Sequence, residues 1–200
     1  MKKLAYICIF IAFLLIPLAT KESLTEGLKI SFMRQIVYDS IKENKVEFLN
    51  KLDSISIKLQ INPDWLIGIM FHESGLNHRA KNSIGATGLI QFMQGTMKWL
   101  KTDSAKLQAM SNVEQLEYVY RYYKSYGKRF KNAYDMYVYA FMPIGVGKPD
   151  NWVFEAKNLP ASIVAKQNKV FDLNKDGKIT MAEFKKYVKD FFDKYEINPE

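Results

Sequence analysis

The chain has 200 residues, 48% hydrophobic and 25% charged, enough apolar content to bury a core and too much for a disordered chain. Lys and Arg number 29 against 21 Asp and Glu, a net charge of +8 that suits an anionic partner such as nucleic acid, a lipid surface or a wall polymer. One cysteine, Cys8, excludes an internal disulfide framework and a multi-thiolate zinc site, and two histidines, His72 and His78, leave little room for His-rich metal chemistry.

Met1-Lys2-Lys3, an uncharged run from Leu4 to Leu18, and Lys21-Glu22-Ser23 follow the layout of a secretory leader. The run is short for a bilayer span, which takes about 20 residues. Pro17-Leu18-Ala19 is a poor cleavage site, so removal and retention as a membrane anchor over residues 1–20 both stay open. Either way the protein is expected to be exported, to the periplasm or cell envelope, and to remain basic after loss of the leader. Beyond it, Glu22 to Gln60 reads as helix, with Val46, Leu49, Leu52, Ile55 and Leu59 at helical spacing.

Asn62-Pro63-Asp64 is a strong helix start: cap, Pro at the first position, acid in the first turn. The helix Pro63–Ser74 is apolar nearly all round and should be buried. Asn77 to Thr87 reads as loop, Leu89 to Leu100 as helix. Ser111-Asn112-Val113-Glu114 is a capping box opening a helix to about Tyr126. A further helix runs from Asn132 to Phe141 and stops at Met142-Pro143; another opens at Pro160, and an amphipathic helix spans Met181 to about Tyr195. An all-α domain is expected, with segments at 21–45, 46–158 and 159–200.

His72-Glu73-Ser74-Gly75-Leu76 begins like a zincin motif, but Leu76 holds the second histidine position, so it fails. Gly145-x-Gly147 is no dinucleotide loop, and Gly147-Lys148 is no P-loop. Tyr118, Tyr122 and Tyr126, four apart in a basic stretch, read as one half-buried helix face rather than a base-stacking platform, and no nucleic-acid partner is expected.

Two motifs survive. Asp172 to Glu183 matches the twelve-position EF-hand loop: oxygen ligands at Asp172, Asn174 and Asp176, the turn at Gly177, the Lys178 carbonyl, Thr180 at the ninth position and a bidentate Glu183. Ile179 should pack inward, and Thr180 with Glu183 forms a capping box for the following helix. The loop is single, so structural Ca²⁺ is expected rather than sensing; no organic cofactor is expected. The second motif is Glu73-Ser74. Glu73 shares a helix face with Trp65, Leu66, Ile69 and Met70. A carboxyl group on such a face is poorly hydrated, which favours the proton-bearing form that a general acid needs. A surface Glu at a helix end reads equally well from these residues alone.

Glu73-Ser74-Gly75-Leu76-Asn77 followed by Gly85-Ala86-Thr87-Gly88-Leu89-Ile90-Gln91 resembles the soluble lytic transglycosylase (SLT) domain of the lysozyme-like superfamily. Ile90 stands for the family's Met. Val138-Tyr139-Ala140-Phe141-Met142-Pro143 resembles its third motif, keeping Tyr and Pro and losing Asn and Gly. With the calcium loop beyond, the chain looks most like phage- and prophage-associated members. The resemblance implies a lysozyme-like helical fold acting on peptidoglycan glycan strands; a monomer is expected. It implies that Glu73 is the single acid/base, that Ser74 steadies the Glu or the bound muramyl group, and that Gly85, Gly88 and Gln91 shape the glycan cleft. It also implies that Tyr139 hydrogen-bonds the catalytic carboxyl, with Tyr137 as its substitute. The expected reaction is cleavage of the MurNAc–GlcNAc bond to a 1,6-anhydromuramic end. The alternatives are a hydrolytic muramidase using a second carboxylate, with Asp150 or Glu155 available and Asp103 in a loop as well, and a non-catalytic, calcium-dependent wall-binding or virion protein.

Overall fold

The computed structural model describes residues 35–200. The leader-like stretch, Cys8 and the first part of the helix expected over Glu22–Gln60 lie outside them. The rest of that helix is in two pieces. Residues 35–39 are helical, and the chain breaks before α1, Lys45–Leu59. Asn44 stands at the break with φ 48°, a left-handed conformation that Asn tolerates better than most residues. Its side-chain amide donates to Asn112 Oδ1 at 3.2 Å, which ties the break to a later helix. α1 buries Phe48, Leu52 and Ile55, whereas Val46, expected on the apolar stripe, is 72% exposed.

α2, Pro63–Ser74, is capped by the Asn62 side chain, which accepts from the Asp64 amide at 2.9 Å. Trp65 to Met70 are all buried, and the helix ends at left-handed Gly75. The helix expected over Leu89–Leu100 is shorter: only Gln94–Trp99 (α3) is helical. Residues 87–92 form a tight loop instead, closed by an antiparallel bridge between Thr87 and Phe92. Left-handed φ values at Gly88 (84°) and Gln91 (49°) prevent the helix from starting earlier. α4, Ser104–Ala109, has no counterpart in the sequence reading; Asp103 caps it by accepting from the Lys106 amide at 2.8 Å.

α5, Asn112–Lys124, opens on the Ser111–Glu114 capping box. α6, Ala133–Phe141, is capped by Asn132 and stops before a 3₁₀ turn over Pro143–Gly145. α7 is Ala161–Gln167, and α8, Met181–Lys194, opens on the Thr180–Glu183 box. Among the described residues there are isolated β-bridges and no strand. α1 lies on α2 and α5, and α2 on α6. Tyr118, Tyr122 and Tyr126 are half-buried along one face, as their spacing implies. No described helix is long and apolar enough to cross a membrane.

The segment after residue 158 is no appendage. One apolar core runs from Val37 to Ile197 and takes in Phe184, Val188 and Phe192 of α8. A Cβ at Gly68 of α2 would overlap the Phe192 ring, so the glycine is what lets α8 approach. Trp65 Nε1 donates to the Asn198 carbonyl at 3.0 Å, and the Ala133 amide to that of Pro199 at 2.8 Å.

Candidate active site

Glu73 occupies the last turn of α2, with its side chain 23% exposed. Its helix-face neighbours Trp65, Leu66, Ile69 and Met70 are buried, so the carboxyl group stands at the rim of the core with one side open to solvent. From α6, the Tyr137 hydroxyl donates to Glu73 Oε1 at 2.5 Å. Tyr137 is 3% exposed, and burial together with the Glu73 charge pushes its hydroxyl well above the usual tyrosine range. It therefore keeps its proton and acts as a fixed donor to the carboxyl group. The same hydroxyl hydrogen-bonds His72 Nδ1, and His72 Nε2 faces the Tyr187 hydroxyl of α8 at 3.2 Å. Among the described residues the Tyr137 hydroxyl hydrogen-bonds Glu73 and His72 Nδ1 lies 3.9 Å from Oε1; neither partner is a carboxylate.

Ser74 sits beside the acid and joins it to the next motif. Its Oγ lies 3.0 Å from the Met70 carbonyl oxygen and 2.9 Å from that of Leu89. The loop carrying Leu89 is held from beneath by Gln115 of α5, which is fully buried. Its Oε1 accepts from the Leu89 amide at 3.1 Å, and its Nε2 donates to the carbonyls of His78 and Leu107, both at 2.6 Å. A Cβ on Gly88 would stand 2.5 Å from Gln115 Oε1, and φ there is 84°, so both space and backbone require glycine. Gln91 donates from Nε2 to the Gly88 carbonyl at 3.1 Å, bracing its own turn. Gly85 lies in the preceding turn, where its amide donates to the Asn82 carbonyl at 3.1 Å and its own carbonyl accepts from Thr87 Oγ1 at 3.0 Å.

A protein-family model described as "Transglycosylase SLT domain" matches residues 53–159, more than half of the chain. The chain belongs to this family. No individual curated protein matches it. Membership implies peptidoglycan as the substrate. The match contains the Glu73-Ser74 pair, the Gly88–Gln91 loop and Tyr137; Tyr187 lies beyond its end.

One expectation for this SLT domain needs correction. The tyrosine bonded to Glu73 is Tyr137, and the Tyr139 hydroxyl instead pairs with Ser125 Oγ at 2.8 Å. Two residues along a helix turn the side chain by about 200°. α6 therefore presents Tyr137 to α2 and Tyr139 to the ring cluster of Tyr122, Tyr126 and Phe130. The candidates for a second carboxylate are engaged or apart. Asp150 pairs with Lys185 at 2.7 Å, Asp103 caps α4, and Glu155 is exposed. His72, Tyr187 and Gln115 were not foreseen as site residues. The one signal was the position of His72 beside the acid.

The Asp172–Glu183 loop keeps an oxygen-only donor set, suited to a hard cation. Asp172 accepts from the amides of Asp176 and Gly177 at 3.2 and 3.1 Å, Asp176 from that of Lys178 at 2.9 Å, and Asn174 Oδ1 from that of Asp176 at 2.9 Å. Glu183 is shared: Oε2 serves the cap with Thr180 and Oε1 accepts from the Asn174 amide at 3.3 Å. The side chains thus accept from the loop's own amides, and among the described residues no three His, Cys, Asp or Glu side chains converge as metal ligands. Ile179 is fully buried, and its carbonyl accepts from the Phe154 amide at 2.9 Å. The loop therefore pairs with residues 150–154, in the segment after α6.

Two surface hollows of about 550 and 560 Å³ lie away from Glu73, beside α6 and α8, and are lined by Lys131 and Lys185 among others. Their size does not make them the site, because neither contains an acid with a fixed proton donor.

Proposed function

We propose that the protein is a lytic transglycosylase in which Glu73 alone serves as acid and base on the bond between N-acetylmuramic acid and N-acetylglucosamine. The observation that carries the reading is the Glu73 carboxyl group of an SLT-family chain, part-exposed and held by the Tyr137 hydroxyl. Glu73 gives its proton to the glycosidic oxygen. The C1–O bond breaks, and positive charge develops on the muramyl ring as an oxocarbenium ion. Glu73, now a carboxylate steadied by Tyr137, takes the proton from the muramyl 6-hydroxyl as that oxygen attacks C1. The 1,6-anhydro ring closes, and Glu73 is left protonated for the next cycle. A hydrolase would instead hold a second carboxyl group about 5–9.5 Å from the first to trap the ion or activate water. The tethered 6-hydroxyl removes that need, because an intramolecular nucleophile has a high effective concentration. Ser74 and the Gly88–Gln91 loop, fastened by Gln115, form the wall beside the acid against which a glycan strand would lie.

Counting cuts against reducing ends tests this reading. Purified wall treated with the protein should release soluble glycan without a matching rise in reducing ends. A rise equal to the number of cuts would instead show hydrolysis and promote Asp150 or Glu155.

Calcium is the second element of the proposal. Binding at Asp172, Asn174, Asp176, the Lys178 carbonyl and Glu183, with Thr180 at the ninth position, would clip the start of α8 to residues 150–154 without entering the chemistry. A ligand bound only by the folded state stabilises it by about 2.7 kcal/mol at 100 times its Kd. The melting temperature should therefore fall on chelation, and Asp172→Ala should remove that difference. Identical melting curves with millimolar calcium and with chelator would refute the site. The leader-like N-terminus accords with a substrate outside the cytoplasm.

A further inference from the structure

Tyr137 has one hydroxyl proton and two neighbours able to accept it, Glu73 Oε1 and His72 Nδ1. A neutral imidazole has one N–H and one bare nitrogen, so its tautomer decides which neighbour receives the proton. His72 is 17% exposed, and rings crowd it: Phe191 at 4.6 Å, Tyr137 at 5.3 Å, Tyr187 at 5.6 Å and Phe171 at 6.5 Å between centroids. Among the described residues its ring nitrogens hydrogen-bond Tyr137 on one side and Tyr187 on the other, with Glu73 Oε1 3.9 Å from Nδ1.

We propose that Tyr187 and His72 are positioning residues that fix the direction of the Tyr137 proton toward Glu73. Tyr187 O–H donates to His72 Nε2, His72 Nδ1–H donates to the Tyr137 oxygen, and Tyr137 O–H donates to Glu73 Oε1. In this order every donor meets one acceptor. In the reverse order Nδ1 takes the Tyr137 proton, and the carboxylate formed during glycosidic cleavage loses its donor. The proposal rests on the acid/base reading of Glu73. It goes further by assigning part of the site to α8, outside the family's matched residues.

The titratable groups facing this chain are Glu73 and His72 on α2, Tyr137 on α6, Tyr187 on α8 and Tyr123 on α5. Burial and the Glu73 charge raise the Tyr137, Tyr187 and Tyr123 hydroxyls, burial being the larger cause in each, so all three hold their protons near neutral pH.

The tautomer can be read directly by nitrogen-15 NMR of the imidazole in the full chain. His72 should show a protonated Nδ1 and a bare Nε2. Tyr187→Phe keeps the ring against His72 and removes the donor, so the Nδ1-protonated signal should give way to a mixture. In parallel, the alkaline limb of the kcat–pH profile should move up, because a carboxylate that loses a donated hydrogen bond holds its proton more tightly. A full reversal of a bond to a charged group corresponds to roughly one to two pH units and a partial one to less. KM should stay unchanged. A protonated Nε2 in the wild type overturns the proposal whether or not the variant folds, as do superimposable profiles of the wild type and Tyr187→Phe. Retained activity in Glu73→Gln would sink the acid/base reading instead and would leave the tautomer result standing.

Discussion

Replacing Glu73 by Gln is expected to remove wall degradation and leave the fold intact. The amide keeps the shape of the side chain and still offers an oxygen to the Tyr137 hydroxyl, so the 2.5 Å contact has a counterpart in the variant. The amide has no acidic proton for the glycosidic oxygen and cannot take one from the 6-hydroxyl. A positioned acid or base contributes about 10²–10⁴-fold. In the proposed mechanism one group serves in both roles, so the loss should reach the upper end of that range. The melting temperature should stay close to that of the wild type, because the amide keeps the volume of the side chain and an acceptor for the Tyr137 hydroxyl. Wall clearance within twofold of the wild type would contradict the assignment.

Phe184→Ala should have the largest effect on stability. Phe184 is fully buried in the first turn of α8, with its ring 4.8–5.4 Å from those of Phe171, Phe141, Phe154 and Tyr137. It joins the C-terminal helix to α6 and to the segment that runs beside the Asp172–Glu183 loop. Emptying such a site costs about 3–5 kcal/mol, a large part of the roughly 5–15 kcal/mol that holds a domain together. At about 2–4 °C per kcal/mol for a chain of this size, the melting temperature should fall by roughly 6–20 °C. Activity should fall as well, because Tyr137 loses the ring that backs it. A shift of only a degree or two would mean that α8 is peripheral to the core.

Local signals carried most of the architecture. Asn62-Pro63-Asp64, Ser111 with Glu114, Asn132, and Thr180 with Glu183 each mark a helix start with a side chain that caps a backbone amide, and each helix begins where they place it. The misses have physical causes. Leu89 to Met93 is apolar enough to resemble a helix, but its course is set by left-handed Gly88 and Gln91 and by Gln115, 26 residues further on. Nothing local to that loop reveals a partner so distant. Ser74 and Glu73 were visible as a pair. That Ser74 ties the acid's helix to the Leu89 carbonyl depends on the tertiary arrangement. The exchange of Tyr139 for Tyr137 follows from helix rotation, which the motif wording does not specify. Tyr187 sits on an amphipathic stripe where its ring reads as core, and its hydroxyl gains meaning only once α8 is laid against α2.

Mass spectrometry of the soluble fragments from purified peptidoglycan digested with the wild-type protein tests the central claim most directly. Fragments should end in 1,6-anhydromuramic acid, each lighter by one water than the corresponding hydrolytic product, and a parallel digest with Glu73→Gln should release none of them. Fragments that carry the added water and end in reducing muramic acid would contradict the account.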